Sequence, residues 1–262
     1  MRKDQMNGMA GLKWKILCVC FVVLLNDQLA DAQSMHGTVT DITGVTYETI
    51  TIGNQTWMAE NLRTSQLNNG TPIPYVFPKK KWNKTNAPAF SLYYFNSHDE
   101  LSTDSIKIDN IKDSIPLTID HTLEYHIFNS TRWSVNTTIL SLADYKKCGY
   151  LYNFKCVETN KLCPVGWHVP TVPEWDTLLT HLGGPYAAYN TLYNGYFNIQ
   201  MAGSRLQGDF YFLSFGAMWW TPNILTKRSA YTIYVNRMNK RFASSKRGKR
   251  TGASVRCIMN KQ

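Results

Sequence analysis

The cysteines of this sequence of 262 residues could form disulfide bridges, remain as free thiols or bind a metal. Two of the six cysteines, Cys18 and Cys20, lie in an apolar N-terminal run, and the others are Cys148, Cys156, Cys163 and Cys257. In an exported chain an even number of cysteines predicts disulfide bridges, and four thiols allow three connectivities. The cysteines therefore predict a bridged protein but do not fix its pairs.

The spacing of Cys148 and Cys156 leaves three interpretations open. In one continuous helix, this spacing of eight residues would hold the two residues about 12 Å apart, which is too far for a bridge. Either the segment is not wholly helical and the two are bridged, the interpretation that we favour, or both thiols are free. A metal site is the least favoured, because no histidine pair accompanies the cysteines at zinc-finger spacing.

The histidines do not stand in any familiar catalytic pattern. They are His36, His98, His121, His126, His168 and His181. The sequence has no His-Glu-x-x-His, no Gly-x-Ser-x-Gly and no phosphate-binding glycine loop. We therefore predict a protein that is not an enzyme, with no catalytic residue, no cofactor and no metal.

The C-terminal part of the chain is strongly basic. From Phe210 onward it has no acidic residue but carries eleven lysines and arginines. Such a block attracts anionic polymers, with acidic polysaccharide or envelope phosphate favoured and nucleic acid unlikely. The interpretation that we favour is a solvated surface balanced by acidic groups on the N-terminal half of the chain. The residues predicted to bind the ligand are Trp219, Trp220, Lys227, Arg228, Arg237 and Arg241.

The pair Trp219-Trp220 has two interpretations. Neighbouring side chains of a strand point to opposite faces, so we expect at most one of the two indoles to face the core. The other indole would stack on a sugar ring if it lay at the surface. Packing of the pair in the core or at an edge is the favoured interpretation.

Residues 1–32 have the organisation of a secretory signal peptide. Lys13 and Lys15 precede an apolar run over 16–25, and a small-x-small motif ends at Ala32, which predicts cleavage before Gln33. The run is shorter than the roughly 20 apolar residues that span a bilayer, and nothing in the mature chain approaches that length. We expect export to the cell envelope or medium; the alternative is an uncleaved anchor.

The spacing of residues 171–185 predicts a helix. Thr171 and Glu174 have the spacing of a capping box. The apolar residues Trp175, Leu178, Leu179 and Leu182 recur on one helical face. The run 183–185, Gly-Gly-Pro, ends the helix.

Most of the remaining sequence has the pattern of β-strands. Apolar and polar residues alternate over 45–52, and aromatic segments punctuated by glycine follow Pro185. The predicted strands there are 196–202, 210–214, 217–221, 230–236 and 253–259. The long connection over 97–147 carries β-branched runs that predict an inserted hairpin or subdomain, since structureless loops of that length are unusual.

Several blocks of this sequence resemble the Fibrobacter succinogenes major paralogous domain, a bacterial extracellular family. They are residues 41–44, 52–62, 69–74, 149–154, 163–175, 219–221 and 254–257. The resemblance covers residues 37 to 258, and the insertion at 97–147 is atypical of the family. It implies a bridge between Cys163 and Cys257 and a fold similar to C-type lectins and, more distantly, to formylglycine-generating enzymes.

The resemblance does not bring an activity with it. Formylglycine-generating chemistry needs two reactive cysteines in the C-terminal half, but beyond the predicted helix this chain has only Cys257. The calcium-dependent sugar motifs of lectins are also missing, so the resemblance in fold carries neither activity. We predict one exported α+β domain over 33–262, C-type lectin-like and disulfide-linked, with one or two helices. Its predicted role is a non-catalytic binding module for a carbohydrate or other envelope ligand. The alternatives are a formylglycine-generating-type enzyme, or a structural envelope component that presents 97–147 to a partner protein.

Overall fold

The computed structural model describes residues 36–92, 148–195 and 197–261. The predicted signal peptide, with its cleavage site between Ala32 and Gln33, lies outside the described residues. So does the predicted insertion at 97–147, together with the partner surface assigned to it.

The first sheet joins the two ends of the described chain. Its five strands lie in the order β1 (His36–Thr40), β2 (Thr46–Ile52), β3 (Gln55–Met58), β12 (Ile258–Met259) and β6 (Trp167–His168), and all are antiparallel to their neighbours. Ile258 of β12 lies opposite Trp57 on one side and His168 on the other. Strands from the N-terminal and C-terminal parts of the described chain therefore pair in one sheet.

The second sheet is built entirely from strands that follow Pro185. Its strands lie in the order β11 (Ala243–Gly248), β10 (Ser229–Asn236), β9 (Gly216–Thr226), β7 (Ala202–Leu206) and β8 (Asp209–Leu213). The pairing is antiparallel except between β7 and β9, where Gly203 lies opposite Ala217 in parallel. A small pair of strands, β4 (Phe90–Ser91) and β5 (Leu151–Tyr152), completes the described strands.

Four short helices connect or cover the described strands. They are α1 (Lys79–Lys84), α2 (Phe154–Glu158), α3 (Val172–His181) and α4 (Ala187–Asn194). Helix α3 is the predicted one. The Thr171 side chain accepts a hydrogen bond from the Glu174 backbone N–H, and the Glu174 carboxylate accepts one from the Thr171 N–H, so the capping box is confirmed. Gly183 follows with φ 85°, the left-handed conformation that ends helices.

The predicted α+β class is wrong, because the protein is mostly β. Of the described residues, 38% lie in strands and 18% in helices, and the antiparallel sheets curl into a half-barrel. The longest described helix has 10 residues. Strands β7 to β11, rich in aromatic and β-branched residues, pair with one another in the second sheet, and β12 joins the first sheet. The short helices cover these sheets without forming a layer of comparable size.

Strand β9 lies between two hydrophobic cores. Trp219 belongs to one core, with Trp57 and Trp175, and Met218 and Trp220 belong to the other. Both indoles are fully buried, so the expectation that at most one of them faces a core is wrong. Alternation along the strand still sends the two side chains to opposite faces, but both faces are covered.

The disulfide between Cys163 and Cys257 that the family resemblance implied is confirmed. The two Cα atoms are 5.9 Å apart, and the bond joins the chain just before β6 to the chain just before β12. The favoured bridge between Cys148 and Cys156 is not formed. Cys156 lies in α2, where its thiol donates to the Ala89 carbonyl oxygen at 3.4 Å, and burial raises the pKa of this thiol to about 12.

Asn61 connects residues from distant blocks of the sequence inside the protein. Its side-chain oxygen accepts a hydrogen bond from the Trp219 indole N–H at 2.8 Å and one from Arg256 at 3.4 Å. Its amide donates to the Cys148 carbonyl oxygen at 2.9 Å. Asn61, Trp219 and Arg256 are all fully buried, and all belong to the blocks that carry the family resemblance. These residues therefore build the core.

Candidate binding surfaces

His168, which lies shortly before α3, contacts a carboxylate in the first turn of that helix. One ring nitrogen of His168 lies 2.9 Å from the Glu174 carboxylate, and the other lies 2.7 Å from the Asn260 side-chain oxygen. The hydrogen bond to Glu174 raises the pKa of His168, since two oxygen partners suit an imidazolium with two N–H donors. Partial burial raises the pKa of Glu174, but bonds from His168 and Thr171 outweigh it and lower the pKa to about 2.

This pair predicts a pH-dependent stability. The folded-state pKa of His168 lies above its ordinary value of 6.5, so the pair's full stabilisation is present below that value and is lost as the pH rises through the folded pKa. The pair is partly exposed, so we expect the melting temperature to fall by only about 1 to 3 °C between about pH 6 and pH 8.5. Thermal melts across this range test it. The His168→Gln variant keeps Glu174 as the helix cap and should lose this slope; an unchanged slope would contradict the assignment.

The predicted ligand-binding tryptophans do not reach the surface. The Trp219 indole N–H is bonded to Asn61, and the Trp220 indole N–H donates to the Tyr152 carbonyl oxygen at 2.8 Å. With both rings fully buried, neither offers a face to a sugar. The interpretation of the pair as a sugar-stacking platform is therefore wrong, and packing in the core accounts for both residues.

The predicted ligand-binding cations lie at opposite ends of β10. Lys227 and Arg228 form the turn between β9 and β10, whereas Arg237 and Arg241 lie in the connection from β10 to β11. The eight residues of β10 span roughly 26 Å at about 3.3 Å per residue. The structure therefore divides the single predicted basic surface into two separate regions.

One of these regions borders a cleft between α3 and the start of β11. The cleft has a volume of about 400 Å³ and is lined by Asp176, Leu179, Thr180, Pro185, Ile233, Arg241, Phe242, Ala243 and Ser244. Asp176 and Arg241 line the same cleft, yet they make no ion pair with each other or with any other described residue. The hydroxyl groups of Thr180 and Ser244 add donors and acceptors. The cleft therefore combines an apolar floor with opposite charges that remain available.

An exposed tyrosine that the sequence analysis missed, Tyr186, stands beside this cleft, and two less exposed tyrosines follow it in α4. Tyr186 is 63% exposed, and the Arg241 guanidinium lies 5.7 Å from the centre of its ring. Arg237 lies 5.8 Å from the ring centre of Tyr193, which in turn stacks on Tyr189 at 5.3 Å. The sequence signal was present as tyrosines at 186, 189 and 193, a spacing that places them along one helical side. We call this cleft, together with Tyr186, the tyrosine cleft.

The described residues offer neither a cluster of metal ligands nor a membrane-spanning helix. No group of three or more histidine, cysteine, aspartate or glutamate residues in the described ranges lies close enough to hold a metal ion. None of the described helices is both long and apolar enough to cross a bilayer.

These observations define a mostly β, disulfide-linked protein with a mixed-charge cleft on its surface. The chain belongs to the Fibrobacter succinogenes major domain family, whose sequence model matches residues 50–259. No curated protein matches the chain, and no solved structure matches it. The similarities to C-type lectins and formylglycine-generating enzymes are shown by neither comparison.

Proposed function

We propose that this protein is an exported, non-catalytic binding module that holds an acidic saccharide in the tyrosine cleft. One observation carries the proposal: Asp176 and Arg241, both without an ion-pair partner among the described residues, line one cleft beside the exposed ring of Tyr186. The signal-peptide pattern of residues 1–32 supports export.

The chemistry of the cleft matches that of a sugar. Hydroxyl groups both donate and accept hydrogen bonds, so they fit between a carboxylate that only accepts and a guanidinium that only donates. The exposed Tyr186 ring offers an apolar face with a polar edge, which suits the apolar face of a pyranose. Arg241 favours a sugar that carries a carboxylate, because the guanidinium binds carboxylates through two parallel hydrogen bonds. The cleft volume of about 400 Å³ lies within the range of small-ligand pockets, about 300 to 1,000 Å³.

The state of Cys156 supports a non-catalytic role. Its thiol is buried, and its raised pKa of about 12 keeps it protonated at neutral pH. Because the thiolate is the reactive form, this thiol is unsuited to the cysteine chemistry that the enzyme alternative requires.

A glycan array followed by calorimetry on the best acidic oligosaccharide tests the proposal. We expect Tyr186→Ala and Arg241→Gln each to weaken binding about tenfold or more, because each removes a central contact of the kind that dominates recognition. Tyr211→Ala is the matched control, since Tyr211 is a 40% exposed tyrosine of β8, outside the cleft lining. Arg228→Gln serves the same purpose for the arginine. Binding that is unaffected by Tyr186→Ala and Arg241→Gln would overturn the proposal.

A further inference from the structure

The second basic region has an apolar tip. Ile224 is 58% exposed and Leu225 is 39% exposed, and both precede the turn residues Lys227 and Arg228. The turn is closed by a hydrogen bond of 2.6 Å between the hydroxyls of Thr226 and Ser229, and the Thr226 hydroxyl also accepts from the Arg228 N–H at 3.2 Å. The β9–β10 turn therefore presents aliphatic and basic side chains from an ordered backbone.

Strand pairing brings more cations to this tip. Ala230 lies opposite Ile224 on one side and Arg247 on the other, so Arg247 shares a cross-strand row with Ile224. The Lys249 N–H donates to the Arg228 carbonyl oxygen at 3.0 Å, which holds the chain after β11 against the turn. We call the surface formed by these side chains the basic tip; it consists of Ile224, Leu225, Lys227, Arg228, Lys246 and Arg247.

Helix α1 extends the positive surface. The Trp82 indole N–H donates to the Arg250 carbonyl oxygen at 2.8 Å, and the Arg250 guanidinium contacts the Asn86 side chain at 3.4 Å. These contacts place the exposed lysines of α1 next to the residues that follow β11. The lysines concerned are Lys80, Lys81 and Lys84, none of which is in an ion pair within the described residues.

The described carboxylates near this surface, Glu158 and Asp209, are already engaged in ion pairs. Glu158 is paired with Lys155 at 2.7 Å and with Lys249 at 2.5 Å. Burial raises the pKa of Glu158, but the bonds from these two lysines outweigh it and lower the pKa, so the carboxylate stays charged and fully engaged. Asp209 is paired with Lys79 at 2.5 Å. The remaining cations of this region have no ion-pair partner within the described ranges.

We infer that the basic tip docks on an anionic lipid surface, with Ile224 and Leu225 entering the headgroup layer and Lys227, Arg228 and Arg247 contacting lipid phosphates. Apolar side chains flanked by cations are the combination that binds an anionic bilayer, where apolar burial and charge attraction act together. A soluble anionic polysaccharide uses the charges alone and leaves the aliphatic pair in water. A single-stranded nucleic acid would favour exposed aromatic rings for base stacking, whereas the tip presents aliphatic side chains.

Vesicle sedimentation of the protein recovered after export tests this inference. We expect binding to vesicles that contain phosphatidylglycerol, little binding to vesicles of phosphatidylcholine alone, and weaker binding at high salt. The double variant Ile224→Ser/Leu225→Ser should bind the anionic vesicles about tenfold more weakly, because it removes apolar area that the bilayer buries. It should keep its retention on a heparin column. The variant Lys227→Gln/Arg228→Gln should lose both vesicle binding and heparin retention.

The opposite end of the β10–β11 hairpin supplies matched controls. Met238 is 60% exposed and Arg237 is an exposed cation, so Met238→Ser and Arg237→Gln make similar changes away from the tip and should leave vesicle binding unchanged. Heparin retention without vesicle binding would identify a soluble polyanion as the partner and overturn the inference, as would full vesicle binding by the Ile224→Ser/Leu225→Ser variant. The tip variants should keep the wild-type melting temperature and saccharide binding, which separates this test from that of the tyrosine cleft.

Discussion

Replacing both Cys163 and Cys257 with alanine is expected to lower the free energy of unfolding by about 4 to 5 kcal/mol in the chain-entropy model. The bond links residues 94 apart in sequence, so without it the unfolded chain recovers the freedom of a long loop. Urea unfolding followed by tryptophan fluorescence measures the loss. Reduction of the wild-type protein with dithiothreitol should move its midpoint toward that of the variant.

Cys156→Ala is the control for this prediction. It removes a buried thiol of the same size that is not in the bridge, so it should cost well below the loss of the disulfide, about 1 to 2 kcal/mol. Equal midpoints for the oxidised wild type and the Cys163→Ala/Cys257→Ala variant would show that the bridge does not stabilise the folded state.

Trp219→Ala is expected to lower the free energy of unfolding by about 3 to 5 kcal/mol, the cost of deleting a large aromatic side chain from a core. The Trp219 ring packs against Trp175 at 5.5 Å between ring centres, and the loss of its N–H also leaves the Asn61 oxygen with one partner fewer. Equilibrium unfolding in urea, with the disulfide intact, measures the effect. A change of this size is a large part of the total stability of an ordinary domain.

Two variants make the Trp219 result specific. Trp219→Phe keeps an aromatic ring in the core and should cost less than Trp219→Ala, whereas Tyr186→Ala removes a mostly exposed ring and should change stability by about 0.5 kcal/mol or less. A Trp219→Ala protein of wild-type stability that had lost saccharide binding would instead restore the surface role that the sequence suggested for this residue.

The residues that carry the family resemblance have structural roles where the structure describes them. Gln55 donates from its side chain to the Glu174 carbonyl oxygen at 3.0 Å, which connects β3 to α3. Arg256 is fully buried, its guanidinium lies 4.3 Å from the Phe197 ring centre, and it donates to the Phe197 carbonyl oxygen. Burial lowers the pKa of Arg256 to about 9. The two proposed binding surfaces use other residues, which lie around this interior.

Local sequence determined the elements whose signals are short-range. The capping box and the apolar face of α3 depend on residues within four positions of one another, so the sequence predicted its bounds to within a residue. The alternating pattern of β2 predicted a strand for the same reason. The bridge between Cys163 and Cys257 came from the family resemblance, because the number of cysteines leaves the connectivity open.

The tertiary structure decided the rest, because it depends on which surfaces meet. Alternation places Trp219 and Trp220 on opposite faces of β9, but only the packing of a second core buries both of them. Strand β11 has the polar sequence ASSKRG, which lacks a strand pattern. It is a strand because its backbone pairs with β10 at the edge of the sheet. In the same hairpin, Arg228 and Arg241 lie at opposite ends of β10, and the Arg241 guanidinium contacts the Tyr186 ring. Residue types determined which contacts were possible, and the pairing of the strands selected the ones that form.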